Sequence, residues 1–264
     1  MTTTLAPHAE VVAKNRYYLK NDRGETVEDG NALFKRVAKA IAEVEDQYLT
    51  LPIEKKLLEN QFLTIMERLE FIPNSPTLMN AGTKQGTLSA CFVLPLEDSM
   101  EGIMKAASDA AMVQKFGGGT GFSLSKLRPK GTAIKTTHGK ACGPIEVLKV
   151  LSSVSSMVTQ GGKRDGANMA VMSVYHPDIL EFIDCKSTEG DIHNFNISVG
   201  VDQHFMECVK NKLVYNLIDP HTNQLAGKLN AYEVFQKICE GAHKNGEPGI
   251  VFLDRDNKDN KVIK

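Results

Sequence analysis

At 264 residues the chain has room for one large domain or two small ones. Hydrophobic residues at 42% and charged residues at 24% exclude a disordered or fibrous protein, and 31 Lys and Arg against 32 Asp and Glu leave a net charge of −1, too small for a broad nucleic-acid or acidic-membrane footprint. No apolar run approaches the roughly 18 residues of a membrane span, and the opening MTTTLAPHAEVVAKNRYYLK lacks the apolar core of a secretory signal, so a cytoplasmic protein with no membrane partner is expected.

Residues 1–15 carry no clear period and are expected to be a mobile lead-in. From Asn31 the pattern turns helical: Leu33, Phe34, Val37, Ala38, Ile41 and Val44 recur at three- and four-residue steps on one face. A second helix is expected after Pro52, with Leu57, Leu58, Phe62, Ile65, Met66 and Leu69 as its stripe. Residues 1–70 thus read as a helical N-terminal region and residues 71–264 as a second domain. Pro73 to Thr77 reads as extended or turning, because proline restricts itself and its predecessor. Leu88–Leu94 (LSACFVL) is a buried-strand candidate ended by Pro95, followed by a helix over Ser99–Phe116, the glycine cluster and a strand at Phe122–Leu124. Helices are then expected at Ile145–Val158, Pro177–Cys185, Asp202–Val209 and Ala231–Lys244, with strands at Met169–Ser173, Ile197–Val201 and Ile250–Leu253 and a polar tail over Asp254–Lys264. Short apolar strands separated by helices are the mark of parallel βαβ units.

Five cysteines, Cys91, Cys142, Cys185, Cys208 and Cys239, are widely spaced with no C-x-x-C pair, which supports neither a zinc ribbon nor a disulfide framework. Most are expected to be small buried hydrophobes. No metal-ligand spacing occurs, and His176 and His193 read as structural. The run Gly117-Gly118-Gly119-Thr120-Gly121 lacks the Lys-Ser/Thr of a Walker loop and the third glycine of a dinucleotide fingerprint, so a tight turn competes with a phosphate loop. Gln160 to Asn168 mixes glycines with two cations, a carboxamide and a carboxylate; such a loop changes shape easily and bonds to phosphates or base edges, or is a solvated turn. Lys126, Arg128, Lys130, Lys135 and Lys140 form a basic stretch beside glycines that suits an anionic ligand or a solvated face.

Taken together, Ser75-Pro76-Thr77-Leu78-Met79-Asn80-Ala81-Gly82, Leu88-Ser89-Ala90-Cys91-Phe92-Val93-Leu94-Pro95 with Asp98-Ser99, the glycine cluster through Ser123, Leu127-Arg128-Pro129-Lys130-Gly131, Gln160 to Met169, His176-Pro177-Asp178 and Asn194 to Val199 resemble, in order and spacing, the catalytic subunit of ribonucleotide reductase. The wording is most similar to the adenosylcobalamin-dependent, class II branch, and the similarity runs from about Asn15 to Asp256. The resemblance implies an α/β fold in which a helical N-terminal region precedes the first five-stranded parallel half of a ten-stranded α/β barrel. It implies an enzyme that reduces ribonucleotides to 2′-deoxyribonucleotides by a thiyl-radical mechanism with disulfide formation and adenosylcobalamin as cofactor. Implied partners are a ribonucleotide substrate, a deoxynucleoside triphosphate effector, a C-terminal half of the reductase, a second copy in a homodimer and a thioredoxin-like reductant.

Carried over by motif position, Cys91 matches one of two redox-active thiols, and Ser75, Thr77, Ser89 and Ala90 lie on segments that in the family meet the substrate ribose and phosphate. Asp98 matches a carboxylate that bonds to the effector's sugar, Arg128 and Lys135 match cations near its phosphates, and Gln160 and Arg164 match the base-reading members of a specificity loop. The finger-loop motif Asn-Pro-Cys-Gly-Glu, with the radical cysteine, is absent from these 264 residues, so activity is expected to need a C-terminal companion segment. Cys142, Cys185, Cys208 and Cys239 match no redox position. A class I large-subunit fragment and a non-catalytic effector-binding module are the competing readings.

Overall fold

The structure is a computed structural model that describes residues 5–48, 52–84, 86–134, 138–158, 167–187, 190 and 192–259. The chain divides into two compact units, one built mainly from residues 1–90 and the other mainly from residues 91–264. No helix among the described residues is long and apolar enough to cross a membrane.

The first unit is helical. α1 (Pro7–Arg16) occupies most of the stretch expected to be a mobile lead-in. It shows no apolar period because it buries only Ala13, with Val11 and Val12 exposed; a proline in its first turn and the bond from the Tyr18 hydroxyl to Glu10 at 2.8 Å hold it. α2 (Gly30–Ala42) buries Leu33, Phe34, Val37 and Ala38 as expected, and Asp29 caps it by accepting from the Ala32 N–H at 2.8 Å. α3 (Pro52–Glu67) starts at the expected proline, but its stripe is only partly buried: Met66 is interior, whereas Leu57 and, beyond the helix end, Leu69 are exposed.

α4 (Ser75–Asn80) replaces the expected extended segment. Pro76 falls in its first turn, where no N–H is needed, and the Asn74 side chain accepts from the Thr77 N–H at 2.9 Å. Arg36 of α2 donates to the carbonyls of Leu78 and Ala81 at the far end of α4 while held by Glu28 at 2.8 Å.

The second unit runs β1 (Cys91–Val93), α5 (Met100–Lys115), β2 (Gly119–Ser123), α6 (Pro144–Met157), β3 (Asn168–Ser173), α7 (Ile179–Asp184), β4 (Phe195–Val201), α8 (Gln203–Lys210), β5 (Val214–Ile218), β6 (Leu225–Asn230), α9 (Ala231–Asn245), β7 (Gly249–Phe252) and α10 (Leu253–Asp259). β1, β2, β3, β4 and β7 form one parallel sheet in that order. A parallel sheet whose strands advance steadily in one direction through right-handed crossovers places its crossover helices on one face. That face carries Phe122, Ala170, Met172, Phe195, Ile197, Val199 and Val201, all buried, with the Phe122 and Phe195 rings 6.2 Å apart.

The expected strands and helices of this unit are present within a few residues, with two corrections. β1 is not buried: it is the sheet edge, and Val93 is 87% exposed. The antiparallel hairpin β5–β6 was not expected. Its first strand alternates exposed and buried positions, with Tyr215 and Leu217 inward, and Asp219 closes the turn by accepting from the His221 N–H at 2.8 Å. The polar tail begins as α10, where Asp254 accepts from the Gln203 N–H at 2.9 Å.

Candidate functional site

The parallel register sorts the side chains of the sheet into two faces. Cys91 pairs with Gly119, Val93 with Gly121, Gly121 with Met169, Val171 with Ser198 and Ser198 with Gly249. Side chains alternate along a strand, so Cys91 shares its face with Gly119, Gly121, Ser123, Ser173, Asn196, Ser198, Gly200 and Gly249, and also with Val93, Met169, Val171 and Val251. That face mixes small and polar residues with four apolar ones, of which Val93 and Met169 are exposed, where the opposite face is mostly buried aliphatic and aromatic side chains. Cys91 is an exposed free thiol on it, with a glycine opposite instead of a side chain. A thiol beside Gly119, on the sheet face opposite the crossover helices, is open to a reacting group; at the far strands of that face Leu253 of α10 lies against Gly200.

Thr77, in the first unit, is buried, and its hydroxyl donates to the Leu88 carbonyl at 2.9 Å. Asn80 donates to the Thr87 carbonyl at 2.7 Å, and the Ser89 N–H donates to the Thr87 hydroxyl at 3.1 Å. Together these bonds clamp the segment that runs into Cys91 onto α4. Ser75 is half-buried with its hydroxyl 3.0 Å from that of Tyr17; Ser89 is exposed and Ala90 half-buried.

Asp98 and Arg128 meet directly. The Arg128 Nε–H donates to Asp98 Oδ2 at 2.8 Å, the Arg128 backbone N–H donates to Oδ1 at 3.1 Å, and Nη2 reaches the Asp98 carbonyl at 3.3 Å. His221, from the β5–β6 turn, has Nδ1 3.7 Å from Asp98 Oδ2. Both pair members are about one-fifth exposed. A guanidinium has five N–H donors, and the Nη1 edge makes no bond among the described residues. The arrangement therefore offers an outward donor edge for an anion and residual acceptor capacity on Asp98 for a hydroxyl. Lys135, Gln160 and Arg164 lie outside the described residues.

Other motifs have structural roles. His176 is buried; its Nδ1 accepts from the Asp178 N–H at 3.0 Å, which makes Nε2 the donor to the Leu127 carbonyl at 2.8 Å and fixes one neutral tautomer. His193 is exposed. Lys130 is held by Glu181 at 3.0 Å, and its backbone N–H by Asp178 at 2.8 Å. Gly117, at φ 88°, makes the glycine cluster a helix-to-strand turn. Contrary to the burial expected of most cysteines, Cys142 and Cys239 are exposed along with Cys91, and only Cys208 is buried. Burial pushes the half-buried Cys185 thiol up to about 12, with the Lys186 cation opposing.

Sequence reasoning missed a buried cluster of Gln114, Thr120, Ser155 and Asn168. Its signal was present: Gln114 continues the buried stripe of Ala106 and Ala110 at four-residue steps, and a carboxamide on such a stripe must find partners inside.

Comparison with known proteins agrees with this architecture. The family model described as ribonucleotide reductase, barrel domain, matches residues 89–264, and that described as ribonucleotide reductase, all-alpha domain, matches residues 4–86. The chain belongs to the ribonucleotide reductase large-subunit family. A vitamin B12-dependent ribonucleoside-diphosphate reductase of Mycobacterium tuberculosis is 42% identical over 255 residues, covering 96% of this chain and 37% of the relative. One from Thermoplasma acidophilum is 36% identical over 312 residues, covering 98% of this chain and 41% of its own length. The ribonucleoside-diphosphate reductase subunit alpha of Chlamydia muridarum is 29% identical over 241 residues, with 22% of its length covered. The chain thus spans about two-fifths or less of these relatives.

Proposed function

We propose that the chain is the N-terminal, nucleotide-binding portion of an adenosylcobalamin-dependent ribonucleotide reductase in the cytoplasm, and that with the remaining portion it reduces ribonucleotides to 2′-deoxyribonucleotides. The observation that carries the reading is Cys91: a free, exposed thiol at the edge of a parallel sheet, with Gly119 opposite it, within a chain that the two reductase family models match over residues 4–86 and 89–264. In this reading Cys91 and a second cysteine, on the remaining portion, give up two electrons and two protons. The ribose 2′-hydroxyl leaves as water, and the two sulfurs join as a disulfide that a thioredoxin-like reductant reopens. Ser75, Thr77, Ser89 and Ala90 hold the substrate through hydroxyls and backbone N–H groups.

The sheet beside Cys91 leaves room for a bulky group, because Gly119 opposite it has no side chain and a Cβ at Gly121, opposite Val93, would meet nothing closer than 3.9 Å. Adenosylcobalamin, when bound, supplies the radical. Asp98 takes the sugar hydroxyl of a deoxynucleoside triphosphate, the outer edge of Arg128 takes its phosphate, with Lys135, and Gln160 and Arg164 read its base. A second copy covers the exposed Met100, Met104 and Met112 of α5 and Val150 and Met157 of α6, two helices that pack on each other.

The test is to combine the chain with the C-terminal portion of a vitamin B12-dependent reductase and measure deoxynucleotide formation. The reading predicts turnover that requires adenosylcobalamin and is lost in Cys91→Ser. Turnover independent of the cofactor would move the chain to the metal-radical branch, and saturable nucleotide binding without turnover in any combination would make it a binding module.

A further inference from the structure

We propose that Gln114, with Thr120, Ser155 and Asn168, is a positioning relay that ties the start of the Cys91-bearing sheet to the two ends of the chain between α6 and β3. The proposal rests on the reading of that intervening segment as the link between effector and substrate sites. The four residues come from four elements: the end of α5, the start of β2, the end of α6 and the start of β3. All four are buried, and Gln114 has no exposed surface. Gln114 Nε2 faces three acceptors, Asn168 Oδ1 at 2.6 Å, Ser155 Oγ at 2.9 Å and Thr120 Oγ1 at 3.2 Å. The Thr120 hydroxyl donates to the same Asn168 oxygen at 2.5 Å. Asn168 also sends its Nδ2 and its backbone N–H to the Asn194 carbonyl, each at 3.1 Å.

The hydrogen count does not close. A carboxamide nitrogen carries two hydrogens, one fewer than the acceptors it meets, while Gln114 Oε1 finds no donor among the described residues. Turning the Gln114 and Asn168 amides over together gives Oε1 the Asn168 Nδ2–H and lets the Ser155 hydroxyl donate to it. The cost is larger: the two Gln114 Nε2 hydrogens then lie where Oε1 finds no partner among the described residues, and Asn168 Oδ1 faces the Asn194 carbonyl oxygen. The observed arrangement is therefore the better of the two, its one defect being the unpaired Oε1, and it holds the four elements in one register. A buried hydrogen-bonded network that joins four elements is a physical route by which a displacement of one reaches the others.

Its placement gives it something to transmit. Asn168 is the first residue of β3 after the α6–β3 segment, and Ser155 lies in the last turn of α6 before it. Thr120 pairs with Asn168 on one side and with Phe92, the neighbour of Cys91, on the other. The Thr120 N–H also donates to the Ala167 carbonyl at 3.1 Å, so β2 is fastened to the residue that leads into β3. A change at either end of the segment reaches the row of Cys91 through Gln114 and Thr120. These are positioning residues; none of them needs to touch a nucleotide.

The experiment labels the 264-residue chain with iodoacetamide, with and without saturating dATP or dTTP, and follows Cys91 by peptide mass, with exposed Cys239 as the internal control. Calorimetry on the same samples measures nucleotide binding. The relay predicts that bound nucleotide changes the Cys91 labelling rate by about fivefold or more in the unaltered chain. In Gln114→Met, which keeps the volume and removes the amide, nucleotide binds with similar affinity while Cys91 no longer responds. Ser155→Ala, a small change on a helix, reduces the response and decides the matter if Gln114→Met does not melt cooperatively. A full response in a folded variant that binds nucleotide overturns the relay and leaves the effector reading standing. Binding with no response of Cys91 in the unaltered chain also overturns the relay alone. No binding in the unaltered chain overturns the effector reading and the relay with it.

Discussion

The Asp98 carboxylate takes two bonds from Arg128, so each residue orients the other before any ligand arrives. Arg128→Ala removes the outward cationic edge and frees the carboxylate to repel phosphate; it is expected to weaken binding of a deoxynucleoside triphosphate by about tenfold or more. Asp98→Asn keeps the shape and one acceptor and is expected to cost less. Calorimetric titration checks both, and unchanged affinity in both variants would remove the pair from the effector site. Cys185 gives a prediction of a different kind. Burial holds its thiol at about 12 against an ordinary 9.0, so the unfolded chain releases this proton first as the pH rises. Its stabilising contribution is complete below pH 9 and is lost toward pH 12. Urea denaturation across that window is expected to show a decline that Cys185→Ala lessens, and at about pH 8 alkylation is expected to reach Cys91, Cys142 and Cys239 well before Cys185. The sequence carried Cys91 and Thr77 through their motifs. It could not carry the Asp98–Arg128 bond, whose members stand 30 residues apart, or the partners of Gln114, which come from three further elements.

At the scale of elements, what was legible followed burial. β3 and β4 sit inside the sheet, so their runs Met169–Ser173 and Ile197–Val201 read as apolar strands. β1 reads the same way from LSACFVL, yet it is the edge, because an apolar run does not say which of its faces is covered. α1 and α4 escaped for opposite reasons: α1 buries one residue and so has no period, and α4 hides behind a proline that its first turn tolerates. Phe195 is fully buried on the helix side, and Phe195→Ala is expected to destabilise the second unit by about 3–5 kcal/mol. Asp202 caps α8 by accepting from the Phe205 N–H at 2.9 Å and also accepts the Tyr175 hydroxyl at 2.7 Å, whereas Asn230 caps α9 through backbone donors alone. Asp202→Ala is therefore expected to cost about 1–2 kcal/mol, more than Asn230→Ala. Urea midpoints read all three, and a Phe195→Ala midpoint no lower than that of Asn230→Ala would contradict the packing described.

For the whole molecule, the decisive feature is an asymmetry between the two faces of one sheet. Strands that advance steadily, β1-β2-β3-β4-β7, put the crossover helices on one side, and the other side carries the Cys91 thiol among glycines and serines, with Val93, Met169, Val171 and Val251. In α/β barrels the helix-free face is the interior, and the chain covers only 37% and 41% of two vitamin B12-dependent relatives. Fold class was legible because the alternation of strand and helix is local. The open face was not, because it follows from strand order, which no local pattern encodes. The most direct test of the account is the fate of Cys91 in a single turnover. The chain is combined with the C-terminal portion of a vitamin B12-dependent reductase, adenosylcobalamin and one equivalent of ribonucleotide, without external reductant, and its cysteine peptides are mapped. The account predicts deoxynucleotide together with a matching amount of Cys91 in a disulfide to a cysteine of the other portion. Deoxynucleotide formed while Cys91 stays a free thiol would contradict it.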